Sequence, residues 1–119
     1  MIIGIGNDII EIDRVRKACE KKTFLTRCFS AREIECFKDK PLSLAGNYAV
    51  KEAVVKAFGT GFSGINPNEI EVLRNEAGAP YVVLYGNALE MYNKLGVKHI
   101  YVTISNLKSI ASGVVILEG

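Results

Sequence analysis

Four charged side chains sit where apolar neighbours make a charge need a reason. Asp8 lies inside the apolar run Ile2 to Ile12, and Lys51, Glu52 and Lys56 stud a helical stretch that ends in Gly59-Thr60-Gly61. An Asp inside an apolar strand must be paired, protonated or bound to a metal, because burying it bare costs on the order of several kcal/mol. Glu52 and Lys56 are four residues apart and share one helix face. Alone they read as an ordinary surface pair worth about 0.2–0.5 kcal/mol. With Asp8, 44 residues earlier, Glu52 becomes one of two carboxylates from different elements. Magnesium beside a nucleotide takes that kind of set: one or two carboxylates, phosphate oxygens and retained waters. A carboxylate pair, an ammonium and a bare backbone loop together suit a metal-bound phosphate ester.

The loop has two readings. Gly59 can simply end the helix in a left-handed conformation. Alternatively, the N–H groups of Gly59 to Gly61 and the Thr60 hydroxyl can meet an anionic ligand. A helix C-terminus repels anions, so a phosphate there needs Lys56 or a metal to compensate. The loop therefore shapes a cleft more than it attracts charge.

The elements that must position these groups follow from periodicity. Residues 2–12 read as a strand apolar on both faces. Gly4 and Gly6 weaken it, which points to close approach of another backbone or a ligand. Asp13 is expected to cap a helix over about residues 14–22, with Arg14, Lys17 and Lys21 on one face and Val15, Ala18, Cys19 and Lys22 on the other. Ser30 and Glu33 form a capping-box pattern that opens a helix over roughly 31–38. Pro41 begins the longest helix, about 42–58. Strands are expected at 70–74 and 81–85, joined by a hairpin turn through Gly78-Ala79-Pro80. A helix over 87–95 stops at Gly96, and strands at 99–105 and 110–117 close the chain. The order β, three helices, two β, α, two β argues an α+β fold with a mainly antiparallel sheet and a long central helix.

The 119 residues bound one domain, spanning 1–119, with a modest core. No apolar run is long enough to span a membrane, and the Ile-rich start lacks a basic n-region, so a cytoplasmic protein is expected. Cys19, Cys28 and Cys36 are odd in number and widely spaced, which indicates neither zinc nor a disulfide framework. Residues 14–27 carry six basic side chains against Glu20 alone, a net +5, leaving −3 for the rest of a chain whose net charge is +2. Either a solvated helix face or an acidic partner explains that asymmetry. A basic RNA-binding domain is permitted by charge, but no stacking or glycine-clamp motif accompanies it. His99 has no acid or nucleophile partner in sequence. Nucleophile-elbow, Walker A and dinucleotide fingerprints are absent.

Taken together, these motifs resemble one family. Gly4-Ile-Gly-Asn-Asp8-Ile-Ile-Glu11-Ile-Asp-Arg14 is similar to the N-terminal signature of holo-acyl-carrier-protein synthases, the small type of phosphopantetheinyl transferase. Phe29-Ser-x-x-Glu33, Ala49-Val-Lys51-Glu52-Ala-x-x-Lys56-Ala-x-Gly59-Thr-Gly61 and Gly78-Ala-Pro80 resemble the family's later blocks in order and spacing, and the likeness runs from Met1 to about Glu118. The resemblance implies a 4′-phosphopantetheinyl transferase-like fold. It implies transfer of 4′-phosphopantetheine from coenzyme A to a serine of apo-acyl carrier protein, releasing adenosine 3′,5′-bisphosphate, in fatty acid biosynthesis. By match, Asp8 and Glu52 would hold magnesium, with Lys56 near the same phosphates. Gly59, Thr60, Gly61, Gly78, Ala79, Pro80 and Ser105 would shape the CoA cleft. Arg14, Lys17, Lys21 and Arg27 would dock the acidic carrier protein. The resemblance also implies a homotrimer with sites between protomers. Glu52, directly or through a metal-bound water, is the candidate general base, against Asp8 or bulk water. A CoA- or carrier-binding module without transfer is the alternative, which the joint presence of Asp8, Glu52 and Lys56 argues against. Two positions depart from the family: Asn47 stands where an arginine is frequent, and Asn106 where a histidine is. Both remove cations from the CoA end that bears the 3′-phosphate, so a weaker grip on that phosphate is expected, read by comparing CoA with dephospho-CoA as donors.

Overall fold

A helix buried over most of its length organises the molecule. In the computed structural model, which describes all 119 residues, this is α4 (Pro41–Phe58), with Leu44, Ala45, Ala49, Val50, Ala53, Val54 and Val55 all buried. It lies across a three-stranded antiparallel sheet of order β1-β5-β4 (Ile2–Glu11, Ile110–Glu118, His99–Asn106). A second, two-stranded antiparallel sheet pairs β2 (Ile70–Arg74) with β3 (Pro80–Leu84). Helix α5 (Gly86–Lys94) follows β3, and short helices α1 (Ile12–Ala18), α2 (Lys22–Cys28) and α3 (Ala31–Phe37) fill the path from β1 to α4. The α+β class and antiparallel pairing agree with the sequence expectation. No helix is long and apolar enough to cross a membrane.

The expected helix over 14–22 is two helices. α1 begins at Ile12, directly from β1, and a turn at Cys19 to Lys21 separates it from α2. On one straight helix, at about 100° per residue, Ile12, Val15 and Cys19 would face away from Phe24, Leu25 and Cys28. The break lets both sets pack into one cluster with Phe29, Phe37, Leu44 and Ala111. Asp13 is not the cap. It lies in the first turn, 2.9 Å from Arg16 and 3.6 Å from Lys17. The Ser30–Glu33 capping box forms as expected.

Glycines in the sheet set the height of α4. A Cβ at Gly6 would overlap the carbonyl oxygen of Ala53, and one at Gly4 that of Ala57. From β5, a Cβ at Gly113 would stand 2.9 Å from the Val50 nitrogen. Helix and sheet therefore meet backbone to backbone. The opposite sheet face has no cover. Ile5, Ile116 and Tyr101 form one row across it, and Ile5 and Ile9 are about two-thirds exposed (67% and 65%).

Candidate active site

The close seating of α4 on β1 determines which charges meet. Asp8 lies opposite Gly113 in the sheet, under the second half of α4. Lys56 reaches down from the helix, and its Nζ donates to Asp8 Oδ1 at 2.9 Å and to the Asn7 carbonyl at 3.0 Å. The surface pair of Glu52 and Lys56 does not form: Lys56 spends its charge on Asp8. Glu52, one turn earlier, is partly buried and has no ion pair of its own. Burial raises its pKa first and the Asp8 charge second, while Lys56 and hydrogen bonding by Tyr48 pull the other way. Two carboxylates that repel each other across a single shared lysine are poised to accept a cation.

Beside Glu52 opens a cavity of about 530 Å³, walled by Ile9, Val15, Phe24, Tyr48 and Ile110, with Glu11 and Arg14 among its polar lining. Tyr48 was not singled out by sequence. Its ring packs against Phe24 and Phe29 at centroid distances of 6.1 and 6.4 Å. Burial, with Glu52 next, pushes its hydroxyl up to about 12, so it remains a donor. Its spacing four residues before Glu52 was the available signal.

The other expected residues fall on different elements. Gly59 adopts the left-handed conformation (φ 80°) and caps α4. The N–H groups of Gly59, Thr60 and Gly61 donate to the carbonyls of Lys56 or Val55 at 3.0–3.2 Å, and the Thr60 hydroxyl donates to the Gly61 carbonyl at 2.8 Å. These donors are already committed to the helix end, so the loop contributes shape rather than an anion hole. Gly78 (φ 87°) closes the β2–β3 turn, where the Asn75 side chain accepts from Ala77 and Ala79 at 2.9 Å. Ser105 is exposed on β4. No hydrogen bond joins Ser105 or the Gly78–Pro80 turn to the Asp8 site within the chain. The basic segment is partly answered locally: Arg14 lies 3.8 Å from Glu11, and Lys17 pairs with Asp13. Lys21 and Arg27 have no carboxylate within 4.0 Å.

Lys51, beside Glu52 in sequence, faces the opposite way. It is fully buried and donates to Glu33 Oε1 at 2.7 Å, to the Pro67 carbonyl at 3.0 Å and to the Ile70 carbonyl. Three acceptors match the three N–H bonds of an ammonium. Burial pulls its pKa down and Glu33 opposes that. Asn47 belongs to the same network: its Nδ2 donates to Glu33 Oε2 at 3.0 Å and to the Val72 carbonyl at 2.9 Å. Asn47 thus faces the interior and no ligand, and its Oδ1 is buried without a partner.

The set has the hard-oxygen chemistry of a magnesium site. Asp8 and Glu52 contribute carboxylates, no His or Cys stands with them, and no group of three or more His, Cys, Asp or Glu forms a cage. A site with so few protein ligands leaves the rest of the shell to phosphate and water.

Known proteins agree in sequence and in shape. The sequence model of the 4′-phosphopantetheinyl transferase superfamily matches residues 4–112. A holo-[acyl-carrier-protein] synthase of Lachnoclostridium phytofermentans is 54% identical over 118 residues, covering 99% of this chain and 97% of that one. Among solved structures, the holo-[acyl-carrier-protein] synthase of Helicobacter pylori in complex with coenzyme A superposes with a TM-score of 0.84 at 32% identity, covering 96% of this chain and 99% of that one. The Bacillus anthracis holo-(acyl-carrier-protein) synthase in complex with CoA (3′,5′-ADP) gives 0.82 at 30% identity, covering 98% and 96%.

Proposed function

The chain belongs to the 4′-phosphopantetheinyl transferase superfamily, and from that premise we propose how its residues carry out the family's reaction. 4′-Phosphopantetheine passes from coenzyme A to a serine hydroxyl of apo-acyl carrier protein. The serine oxygen bonds to the phosphorus next to the pantetheine, the pyrophosphate P–O bond breaks, and adenosine 3′,5′-bisphosphate leaves. This is the activity of a holo-[acyl-carrier-protein] synthase, acting within one domain over residues 1–119. The observation that carries the assignment of roles is the meeting of Asp8 and Lys56 from two elements next to Glu52, which lines a cavity.

Phosphoryl-type transfer needs positioning and charge neutralisation more than covalent help. Asp8 and Glu52 are assigned as the magnesium ligands. When bound, the metal supplies charge neutralisation at the pyrophosphate. Lys56 holds Asp8 in place and brings a positive charge to the phosphates. Glu52, directly or through a bound water, is assigned as the base for the serine proton. The cavity wall from Ile9 to Ile110 excludes water from the reacting end. Gly59 to Gly61, Gly78 to Pro80 and Ser105 are assigned to the CoA cleft. Arg14, Lys17, Lys21 and Arg27 are assigned to the acidic carrier protein, and reversing Lys21 and Arg27 to Glu raises the KM for carrier while leaving the KM for CoA unchanged.

The uncovered row of Ile5, Ile116 and Tyr101 supports self-association, and the family resemblance makes the assembly a homotrimer with clefts between protomers. Light scattering at three times the 13.0 kDa chain mass is the expected result, and a monomer mass overturns it. Three unpaired thiols suit a reducing compartment, so the chain is assigned to the cytoplasm. The central test incubates the chain with CoA, apo-carrier protein and magnesium and reads the carrier's mass. Absence of a phosphopantetheine gain sinks the transferase, and a gain indifferent to chelator sinks the metal.

A further inference from the structure

We propose that Tyr48 is a positioning residue whose hydroxyl orients the Glu52 carboxylate toward the cation shared with Asp8, a role that rests on the magnesium reading above. The two carboxylates are not equally held. Asp8 is fixed by Lys56 at 2.9 Å, and Lys56 spends its other contact on the Asn7 carbonyl. No lysine or arginine is left to fix Glu52, whose long side chain can carry its carboxylate off the site. Something else on the chain has to hold it there.

Tyr48 stands one turn before Glu52 on α4. Long helical side chains lean back toward the helix N-terminus, so Glu52 leans over the turn that carries Tyr48. Both line the same cavity. The tyrosine ring is fastened from outside α4, tilted at 42° against Phe24 of α2 and at 49° against Phe29 just beyond it. Its hydroxyl is therefore placed by packing and not by Glu52. Glu52 is the one side chain that this hydroxyl hydrogen-bonds, whereas Asp8 acts on it through charge alone. The contact is loose in the free chain, with no well-aligned bond within 3.5 Å, as is common before a ligand draws such groups together. A phenol that keeps its proton can only donate to a carboxylate. A ring serving the core alone would need no hydroxyl, since phenylalanine fills the same space between Phe24 and Phe29. Hydrogen bonds of this kind fix ligating carboxylates, and losing one costs about 10–100-fold in metal affinity.

The test removes the hydroxyl and keeps the ring. Magnesium chloride is titrated calorimetrically into the full chain loaded with CoA, without carrier protein, for wild type and Tyr48→Phe. Tyr48→Phe is expected to bind magnesium about tenfold more weakly, with metal-free CoA affinity within about twofold of wild type and an unchanged melting temperature. In turnover the defect lies in the metal requirement: the KM for magnesium rises about tenfold, and saturating magnesium restores kcat to within about threefold. In a Glu52→Gln background, Tyr48→Phe should cost less than about a further twofold in rate, because the group it positions is gone. Magnesium affinity unchanged in Tyr48→Phe overturns the proposal. So does an equal loss of magnesium and CoA affinity, which marks a structural role, and so does an undiminished further loss in the Glu52→Gln background. Wild type that transfers phosphopantetheine but binds no magnesium overturns the metal reading, and the role of Tyr48 with it. Wild type that binds magnesium while Tyr48→Phe binds it equally well overturns only the role of Tyr48.

Discussion

Two lysine–carboxylate pairs leave the same helix five residues apart and serve opposite ends. Lys51 and Glu33 are both fully buried, whereas the Lys56 and Asp8 side chains are 51% and 16% exposed. Every N–H of Lys51 has an acceptor inside the chain, and Glu33 also caps α3 and holds Asn47. Nothing in that pair can be traded for a ligand. At the other pair, Lys56 engages only Asp8 Oδ1 and one carbonyl, and Glu52 next to it has no counter-charge. The same residue types thus become a fastening or a site according to how many partners the fold has already supplied.

The contrast can be broken from either side. The largest effect is expected at the closed pair. Lys51→Met leaves Glu33 charged and uncompensated, and urea unfolding should show a loss of about 3–5 kcal/mol. Adding Glu33→Gln should recover part of that loss, and no recovery would mean that charge is not the cause. Next comes the open site. Asp8→Asn or Glu52→Gln should lower the transfer rate at least about 100-fold, or about 2.7 kcal/mol, with the circular dichroism spectrum unchanged. A drop under about threefold would move the chemistry elsewhere. Lys56→Met should be milder, about tenfold in rate, and its half-exposed ion pair should contribute less than about 1 kcal/mol to stability. A stability loss like that of Lys51→Met would erase the distinction between the pairs.

The smallest effect concerns pH. The folded chain raises the Glu52 pKa above 4.5, so the native state keeps that proton to higher pH than the unfolded state does. The native state then binds more protons in that window, and stability falls as pH rises from about 4.5 through the raised value. In chelator, Glu52→Gln should lack that slope and melt slightly above wild type at neutral pH. A variant melting below wild type there would show that Glu52 stabilises the fold.

Much of this was legible in the sequence. Pro41 and Gly59 marked α4 to within a residue, Ser30 and Glu33 announced their capping box, and Gly4 and Gly6 signalled the approach of another backbone. What escaped was whatever depends on three-dimensional partners. Apolar periodicity around residues 14–22 said helix, but the phase conflict between Val15 and Cys28 shows only once both must reach the same core. The partners of Lys51 escaped because its three acceptors come from α3 and from the approach to β2. The apolar residues Ala49, Val50, Ala53, Val54 and Val55 around it carried the warning. Asn47 read as a lost ligand contact, whereas the fold turns its amide inward.

Gly4, Gly6 and Gly113 have a consequence for tolerance. A helix resting on side chains can roll when its cushions repack. α4 has main chain beneath it, so the separation of its carboxylate from Asp8 behaves like the gap of a fixed gauge. Asp8→Glu would keep the charge and add one methylene. The helix cannot rise to absorb it, so the extra methylene falls on the half-exposed Lys56 side chain, which must move away from its present position.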